Sequence, residues 1–223
     1  MSTQQLGSTR ARIAAYMIFV LTIGQLLVAT FATGLAQFAG KNFTSRLIAY
    51  PVLMLAVPAY FVARNAVRRR RDQRPKPLPW LAFSLLMLPF LVDVTGNSAD
   101  LYDTVTWWDD ANHFVNWFLL SCGVGLLLTL TRISPPWALG CLVAGLGALF
   151  AIVWELGEWY AFIRNGTELD TAYQDTLGDE ALGSLGAACA GYLVARFGAA
   201  GASVGFGDGL RIPRHDADPA GLA

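Results

Sequence analysis

Apolar positions along the chain gather into six runs, roughly 12–35, 47–66, 79–96, 108–131, 136–163 and 174–197, separated by short polar stretches. Each run is close to the ~20 residues that a helix needs to cross the hydrocarbon core of a bilayer. A helix satisfies all its own backbone polar groups, so runs of this length read as helices rather than strands. The pattern predicts an all-α, polytopic membrane helix bundle of about six transmembrane helices. Residues 1–197 then form a single transmembrane domain. From Gly198 the chain turns to Gly, Ala, Asp and Pro without periodicity, which predicts a flexible C-terminal tail over 198–223. His215 falls in that tail. The first run is too long for the core of a signal peptide and reads as a retained helix. The second run holds Pro51 and Pro58 and the third Pro89, which membrane helices tolerate when neighbours satisfy the freed carbonyls.

Orientation follows from charge. Arg64, Arg68, Arg69, Arg70, Arg71, Arg74 and Lys76 directly follow the second run, and the positive-inside rule puts that loop in the cytoplasm. Both termini are then cytoplasmic, and the loops at 36–46, 97–107 and 164–173 face out. Lys41 and Arg46 in the first outer loop run against the rule, two charges against seven. Trp80 and Trp137 mark the inner interface, and Trp107, Trp108 and Trp159 the outer one.

Composition narrows the function classes. Hydrophobic residues make up 55% of the 223, charged ones only 14%, and the formal net charge is zero; mean hydropathy is +0.45. That is more apolar surface than one water-soluble core would bury. Seven of the sixteen basic residues are spent on the cytoplasmic run, so the charge pattern speaks for topology and against a nucleic-acid partner. Cys122, Cys141 and Cys189 sit within apolar runs, where a thiol behaves as a small hydrophobe, and their spacing suggests neither a disulfide framework nor a Cys-based zinc site.

The candidate chemistry sits in one layer. Counting from the inner-interface markers at about 1.5 Å per residue, Trp137 to Glu155 is about 27 Å, Arg132 back to His113 about 28 Å, Arg196 back to Asp179 about 25 Å and Trp80 to Asp93 about 20 Å. Against a core of about 30 Å, all four positions approach the outer boundary. On the fourth helix Asp109 and His113 are spaced i, i+4 and share a face, while Asp110 points elsewhere. A carboxylate beside an imidazole orients it or shares a cation with it; an acid at a helix start can equally be a cap. On the fifth helix Glu155 and Glu158 are spaced i, i+3 at the C-terminal end, where the helix dipole disfavours negative charge, so capping does not explain them. Exposure to water remains their other reading. On the sixth helix Asp175 and Asp179 repeat the i, i+4 spacing, with capping open for Asp175 only. Gly183, Gly186 and their small neighbours then allow a close approach to the fourth or fifth helix. Asp93 can line the same site or face outer water. Gln25 and Asn116 read as interhelical hydrogen-bond partners.

Five carboxylates around one imidazole, with Arg164 the one base expected nearby, would be costly at a membrane rim. Either some hold protons or a divalent cation sits among them. Carboxylate and imidazole donors without thiolate suit Mg, Mn, Fe or Zn. The candidate metal ligands are Asp109, His113, Glu155, Glu158, Asp175 and Asp179, and the candidate catalytic groups are His113 and Glu158.

The order Tyr102-Asp103, Asp109-x3-His113-Phe114, Trp154-Glu155-x2-Glu158-Trp159, Asp175-Thr176-x2-Asp179 with Gly186-Ala187 behind it resembles the YjdF-type bacterial inner-membrane proteins. More distantly it is similar to the VanZ-like family, from which Glu180 and Ala181 depart where that family often has Asn. The match covers about residues 102–187. The resemblance implies a multi-pass protein of the bacterial inner membrane and marks the same six residues as motif positions; it brings no settled activity. Three functions stay open on the residues: a metal-assisted hydrolase or transferase acting on a lipid or envelope-derived small molecule, a proton- or cation-coupled transporter, and a structural or accessory membrane protein.

Overall fold

The protein is seen here as a computed structural model that describes residues 7–32, 34–39, 41–131, 133–160, 164 and 172–198. Arg132, His215 and all of the expected tail except Gly198 lie outside the described residues. Helix α1 spans Thr9–Phe31 and is capped by the Ser8 hydroxyl, which accepts from the Ala11 amide at 3.2 Å. A single 3-10 turn, Ala36–Phe38, leads to α2, Phe43–Arg70. Helix α3 is Trp80–Ser98, α4 the short Leu101–Thr104, α5 Trp108–Leu128, α6 Pro136–Glu158 and α7 Ala172–Leu193, which passes into a π-helical turn, Val194–Gly198. Pro51, Pro58 and Pro89 all lie inside helices.

Five of these helices, α1, α2, α3, α5 and α6, are long and apolar enough to cross a membrane. Helix α7 is long enough too, but Asp175, Asp179 and Glu180 crowd its first half. Helix α2 starts at Phe43, earlier than its apolar run suggests. The Asn42 side chain accepts from the Ser45 amide at the helix start, and Phe43 is buried in the core, so the helix takes in Arg46, which the sequence places in a loop.

The helices pack in two groups of three joined by α3 against α5. In the first group, α1, α2 and α3 close over large side chains: Leu26, Phe38, Phe43, Tyr50, Met54 and Met87. In the second, α7 lies between α5 and α6, and the contact is made by small residues. A Cβ added to Gly191 would stand 2.5 Å from the Gly140 carbonyl oxygen, and one added to Gly140 would stand 2.9 Å from that of Gly191. Gly186 lies directly against the backbone of Phe114 and Phe118 on α5, and Gly147 against Ser121 and Ala187. Small residues are what permit backbones to approach this closely in lipid, where packing rather than hydrophobicity drives helix association. Apolar side chains such as Val20, Ile48, Val52, Val153 and Leu185 point outward, as a bilayer requires of a bundle's surface.

Candidate cation site

The close approach of α7 to α5 and α6 brings acids from three helices around one imidazole. Helix α5 has Trp107 as its N-cap with no side-chain capping bond, so Asp109 lies in the first turn and its carboxylate is turned along the helix to His113, one turn on. His113 Nε2 is 3.7 Å from Asp109 Oδ1 and 3.5 Å from Asp179 Oδ1 on α7. On the opposite edge of the ring, Nδ1 is 3.5 Å from Glu155 Oε1 on α6. Glu155 and Asp179 are each only 4% exposed and His113 only 9%. Glu158, half-buried, joins His113 and Glu155 in a group whose donor atoms lie within 4.8 Å of one another; Asp109, His113 and Asp179 make a second group within the same limit.

The spacing of these atoms carries chemical information. An N–H···O hydrogen bond is typically about 2.7–3.2 Å long. Two ligands bound to one tetrahedral ion at about 2.1 Å stand roughly 3.4 Å apart. The His113 contacts, 3.5–3.7 Å, are too long for hydrogen bonds and lie nearer the second value. His113 Nδ1 and Glu155 Oε1 also have no hydrogen-bond partner although both are buried. Buried polar atoms are nearly always satisfied; Arg46 Nη1, Trp108 Nε1, Asn116 Oδ1 and others also lack a hydrogen bond, but this pair is set face to face among side chains that could ligate an ion.

Five of the six expected ligands therefore converge: Asp109, His113, Glu155, Glu158 and Asp179. Asp175 is exposed and outside both groups. With Asp110, Gln174 and Gly178 it lines a polar mouth of about 350 Å3 between the ends of α5 and α7. A larger cavity of about 540 Å3 lies between α6 and α7, walled by Ile152, Leu156, Trp159, Tyr173 and, on its polar side, Glu155, Thr176 and Glu180. Arg164, the base expected nearby, is exposed and stacks on the Tyr160 ring at 3.7 Å.

The cation that does face this end of the bundle is Arg46. It lies 3.7 Å from Asp93 Oδ2 and acts through space on Glu158 as well. Asp93 is the hub of a second polar network. It accepts from the Tyr50 hydroxyl at 2.6 Å, from the Tyr102 hydroxyl at 2.8 Å and from the Asn97 amide at 3.4 Å. Asn112 donates to the Tyr102 oxygen, and Asn116 donates to Asn112 at 2.8 Å. Burial and the Asp93 carboxylate push the Tyr102 hydroxyl far above the usual phenol range, so it stays a donor. Lys41, the other base at this end, pairs with Asp103 at 2.5 Å. Both charges that ran against the positive-inside pattern thus have acidic partners at the same end of the bundle.

Arg46, Tyr50 and Asn112 are the site residues that sequence reasoning missed; Tyr102 stands in the motif order but without a role. Of the three, a readable signal existed for Arg46: an arginine against the positive-inside pattern calls for a nearby acid. Gln25 bonds across to Thr95 at 3.1 Å as expected, whereas Asn116 bonds along its own helix instead of across to another. The cysteines are free.

A family model described as Predicted membrane protein (DUF2238) matches residues 18–200. No curated protein and no solved structure matches the chain, so the distant VanZ-like resemblance gains no support. The family match spans all three acid-bearing helices of the His113 cluster together with the Arg46 and Asp93 network. The chain thus belongs to the DUF2238 family of predicted membrane proteins, which is the YjdF-type family, and is an integral, multi-pass membrane protein.

Proposed function

We propose that the His113 cluster binds a divalent cation at the outer face of the bacterial inner membrane, and that the protein uses it for metal-assisted hydrolysis or transfer on a lipid or envelope-derived substrate. The observation that carries the cation is the pair of buried, unpartnered atoms, His113 Nδ1 and Glu155 Oε1, inside a shell of carboxylates at ligand-to-ligand spacing. His113 Nδ1 and Glu155 would hold the ion, and Asp109 and Asp179 would accept the Nε2 proton, which fixes the ring's tautomer and orientation. Nitrogen and oxygen donors without thiolate suit Mg, Mn, Fe or Zn. Such an ion, when bound, polarises a carbonyl or phosphoryl oxygen and lowers the pKa of bound water. With both edges of the imidazole engaged, Glu158 is the group left to act as general base. The apolar cavity beside Glu155 supports a lipid substrate, because its walls lie among side chains that face the bilayer.

Coupled transport is the weaker reading. In α3, α5, α6 and α7 no ionisable Asp, Glu, His, Lys or Arg continues the path from the cluster into the other half of the helices. A purely structural role would leave the buried acids to fold against one another without a ligand.

The test is metal analysis of detergent-purified protein, native against His113→Ala, Glu155→Gln and Asp179→Asn, with Glu180→Gln as a control outside the cluster. Native protein and the control should carry about one ion per chain and the three variants well below that. A native protein that binds no divalent metal on purification or after dialysis against any of the four ions sinks the proposal.

A further inference from the structure

We infer that the cavity between α6 and α7 seats a phospholipid whose headgroup carries a primary ammonium, with Glu180 as the carboxylate that receives it; the inference rests on reading this cavity as the lipid seat beside the cation site. Helical periodicity builds both walls. On α6 and its cap, Ile152, Glu155, Leu156 and Trp159 recur at three- and four-residue spacing and share one face. On α7, Ala172, Thr176 and Glu180 stand four apart and line the other side. The enclosed space, about 540 Å3, has the size of a small-molecule site. Leu156, Trp159 and Tyr173 on its rim are exposed, so an apolar chain can enter sideways from the bilayer.

Two acids line this apolar space, and among the described residues no base does. Glu155 ties the cavity to the cluster: it is 4% exposed, its Oε1 has no hydrogen-bond partner, and that oxygen stands 3.5 Å from His113 Nδ1. Glu180 directly follows Asp179, but the turn of about 100° per residue takes it out of the His113 groups and onto the cavity wall. It lies 16 residues before Arg196, about 24 Å along the helix and inside a hydrocarbon core of about 30 Å. Among the described residues no hydrogen bond or ion pair reaches it, and Glu155 meets it through space as a like charge. An acid at that depth is costly to leave unpaired. The partner it lacks is a cation, and the cation that arrives with an apolar chain attached is a lipid ammonium.

Charge and donor count narrow the headgroup further. Helix α6 ends at Glu158, so the partial negative charge of its C-terminus adds to that of the two carboxylates. A headgroup with negative charge alone is repelled there. A primary ammonium has three N–H donors for which the Glu180 carboxylate and the Thr176 hydroxyl are acceptors on the same wall, whereas a quaternary one has none. The phosphate of the same lipid is then left for the ion held by His113 Nδ1 and Glu155.

The experiment titrates the full chain in detergent with dioleoyl phosphatidylethanolamine, phosphatidylcholine and phosphatidylglycerol. Bound lipid is counted by native mass spectrometry, and metal content is measured on the same samples. Native protein should bind phosphatidylethanolamine on the order of tenfold more tightly than phosphatidylglycerol, the factor that one charge-assisted hydrogen bond supplies, and severalfold more tightly than phosphatidylcholine. Glu180→Gln should bind all three about equally and keep its metal, while Glu180→Asp, which retains the charge, should retain the preference. Leu156→Trp, which fills the cavity, should weaken all three. Glycerophosphoethanolamine, the headgroup without its chains, should fail to displace the lipid even in large excess.

Native protein without a preference among the three lipids overturns the inference while leaving the cation site standing. So does a preference that survives in Glu180→Gln, or lipid binding untouched by Leu156→Trp, since either puts the headgroup elsewhere. Displacement by glycerophosphoethanolamine overturns it too, by making the ligand a soluble amine. A chain that prefers phosphatidylethanolamine through Glu180 but takes up no divalent metal upholds the lipid seat and sinks the metal-assisted reading alone.

Discussion

Asp93 and Glu155 lie at the same end of the bundle, and the protein surrounds them in opposite ways. Asp93 has two tyrosine hydroxyls and an amide donating to it and a guanidinium alongside. Glu155 is more deeply buried and has an oxygen with no donor, facing a ring nitrogen that also lacks a partner. The first carboxylate has its donors from the chain, although the Arg46 Nη1 beside it has no hydrogen bond of its own, and it belongs to the fold. The second is incomplete and points to something bound. The contrast extends to the packing around each one. Asp93 sits in the group of helices held by large interlocking side chains, and Glu155 in the group held by glycines, where backbones come close enough to press three acidic helices onto one ring.

The largest effect should come from driving those backbones apart. Gly186 lies against the α5 backbone, so no flexible side chain can yield to a larger residue. Gly186→Leu should destabilise by about 3 kcal/mol or more, at the upper end of overpacking costs, and abolish metal binding by separating Asp179 from His113. Gly145, with nothing within 4 Å of its added Cβ, is the control. There Gly→Ala should be neutral or stabilising by about 0.5 kcal/mol, as at an open helical site. Thermal unfolding in detergent read alongside metal content checks both. If Gly186→Leu keeps native stability and metal, close packing is not what assembles the site.

The next effect sets the two acids against each other. Asp93→Ala leaves Arg46 without its counter-charge and two tyrosine hydroxyls without an acceptor, and should cost about 3 kcal/mol. Glu155→Gln removes a charge that the chain does not compensate, so without metal it should change stability by less than about 0.5 kcal/mol or raise it. Adding metal at about a hundred times its dissociation constant should stabilise native protein by about 2.7 kcal/mol and leave Glu155→Gln unmoved. Should Glu155→Gln prove as damaging as Asp93→Ala in metal-free protein, Glu155 is a structural acid and the distinction collapses.

Sequence carried the layer of acids because helix geometry converts residue counts into depth and spacing into faces. Counting from interface markers put Glu155, His113 and Asp179 in one layer, and the i, i+4 spacing put Asp109 beside His113. What it could not carry was which long-range partner each charge would find. Asp93 draws on Tyr50, 43 positions away, and Lys41 on Asp103, 62 away; no local periodicity encodes either pairing. Spacing alone also cannot separate Asp175 from Asp179. Both fall on one face of α7, and the difference is a single turn of depth, which sets one outside the donor groups and one inside. Arg46 is hidden for a further reason: its apolar run begins after it and leaves it in the loop, whereas Asn42 starts the helix earlier.

The smallest effect tests whether the well-paired half depends on its exposed charges as it does on its buried ones. Lys41 and Asp103 join the connection between α1 and α2 to α4, with Asp103 more than half exposed. Donation from Lys41 holds the Asp103 carboxyl below the usual carboxylate range. A group whose folded pKa is depressed adds stability above its unfolded value, and that contribution is lost as pH falls through the folded one. Native protein should therefore exceed Asp103→Asn in stability slightly at neutral pH, and the gap should close in the acid range below about pH 3.8, the ordinary carboxylate value. Salt should narrow the same gap at neutral pH, because the pair is open to solvent. Melting curves of the two proteins across pH and ionic strength read this directly. A large gap that survives high salt would mean that the outer connection is clamped by this pair, and that stability in the first half rests on its rim as much as on the Asp93 network beneath it.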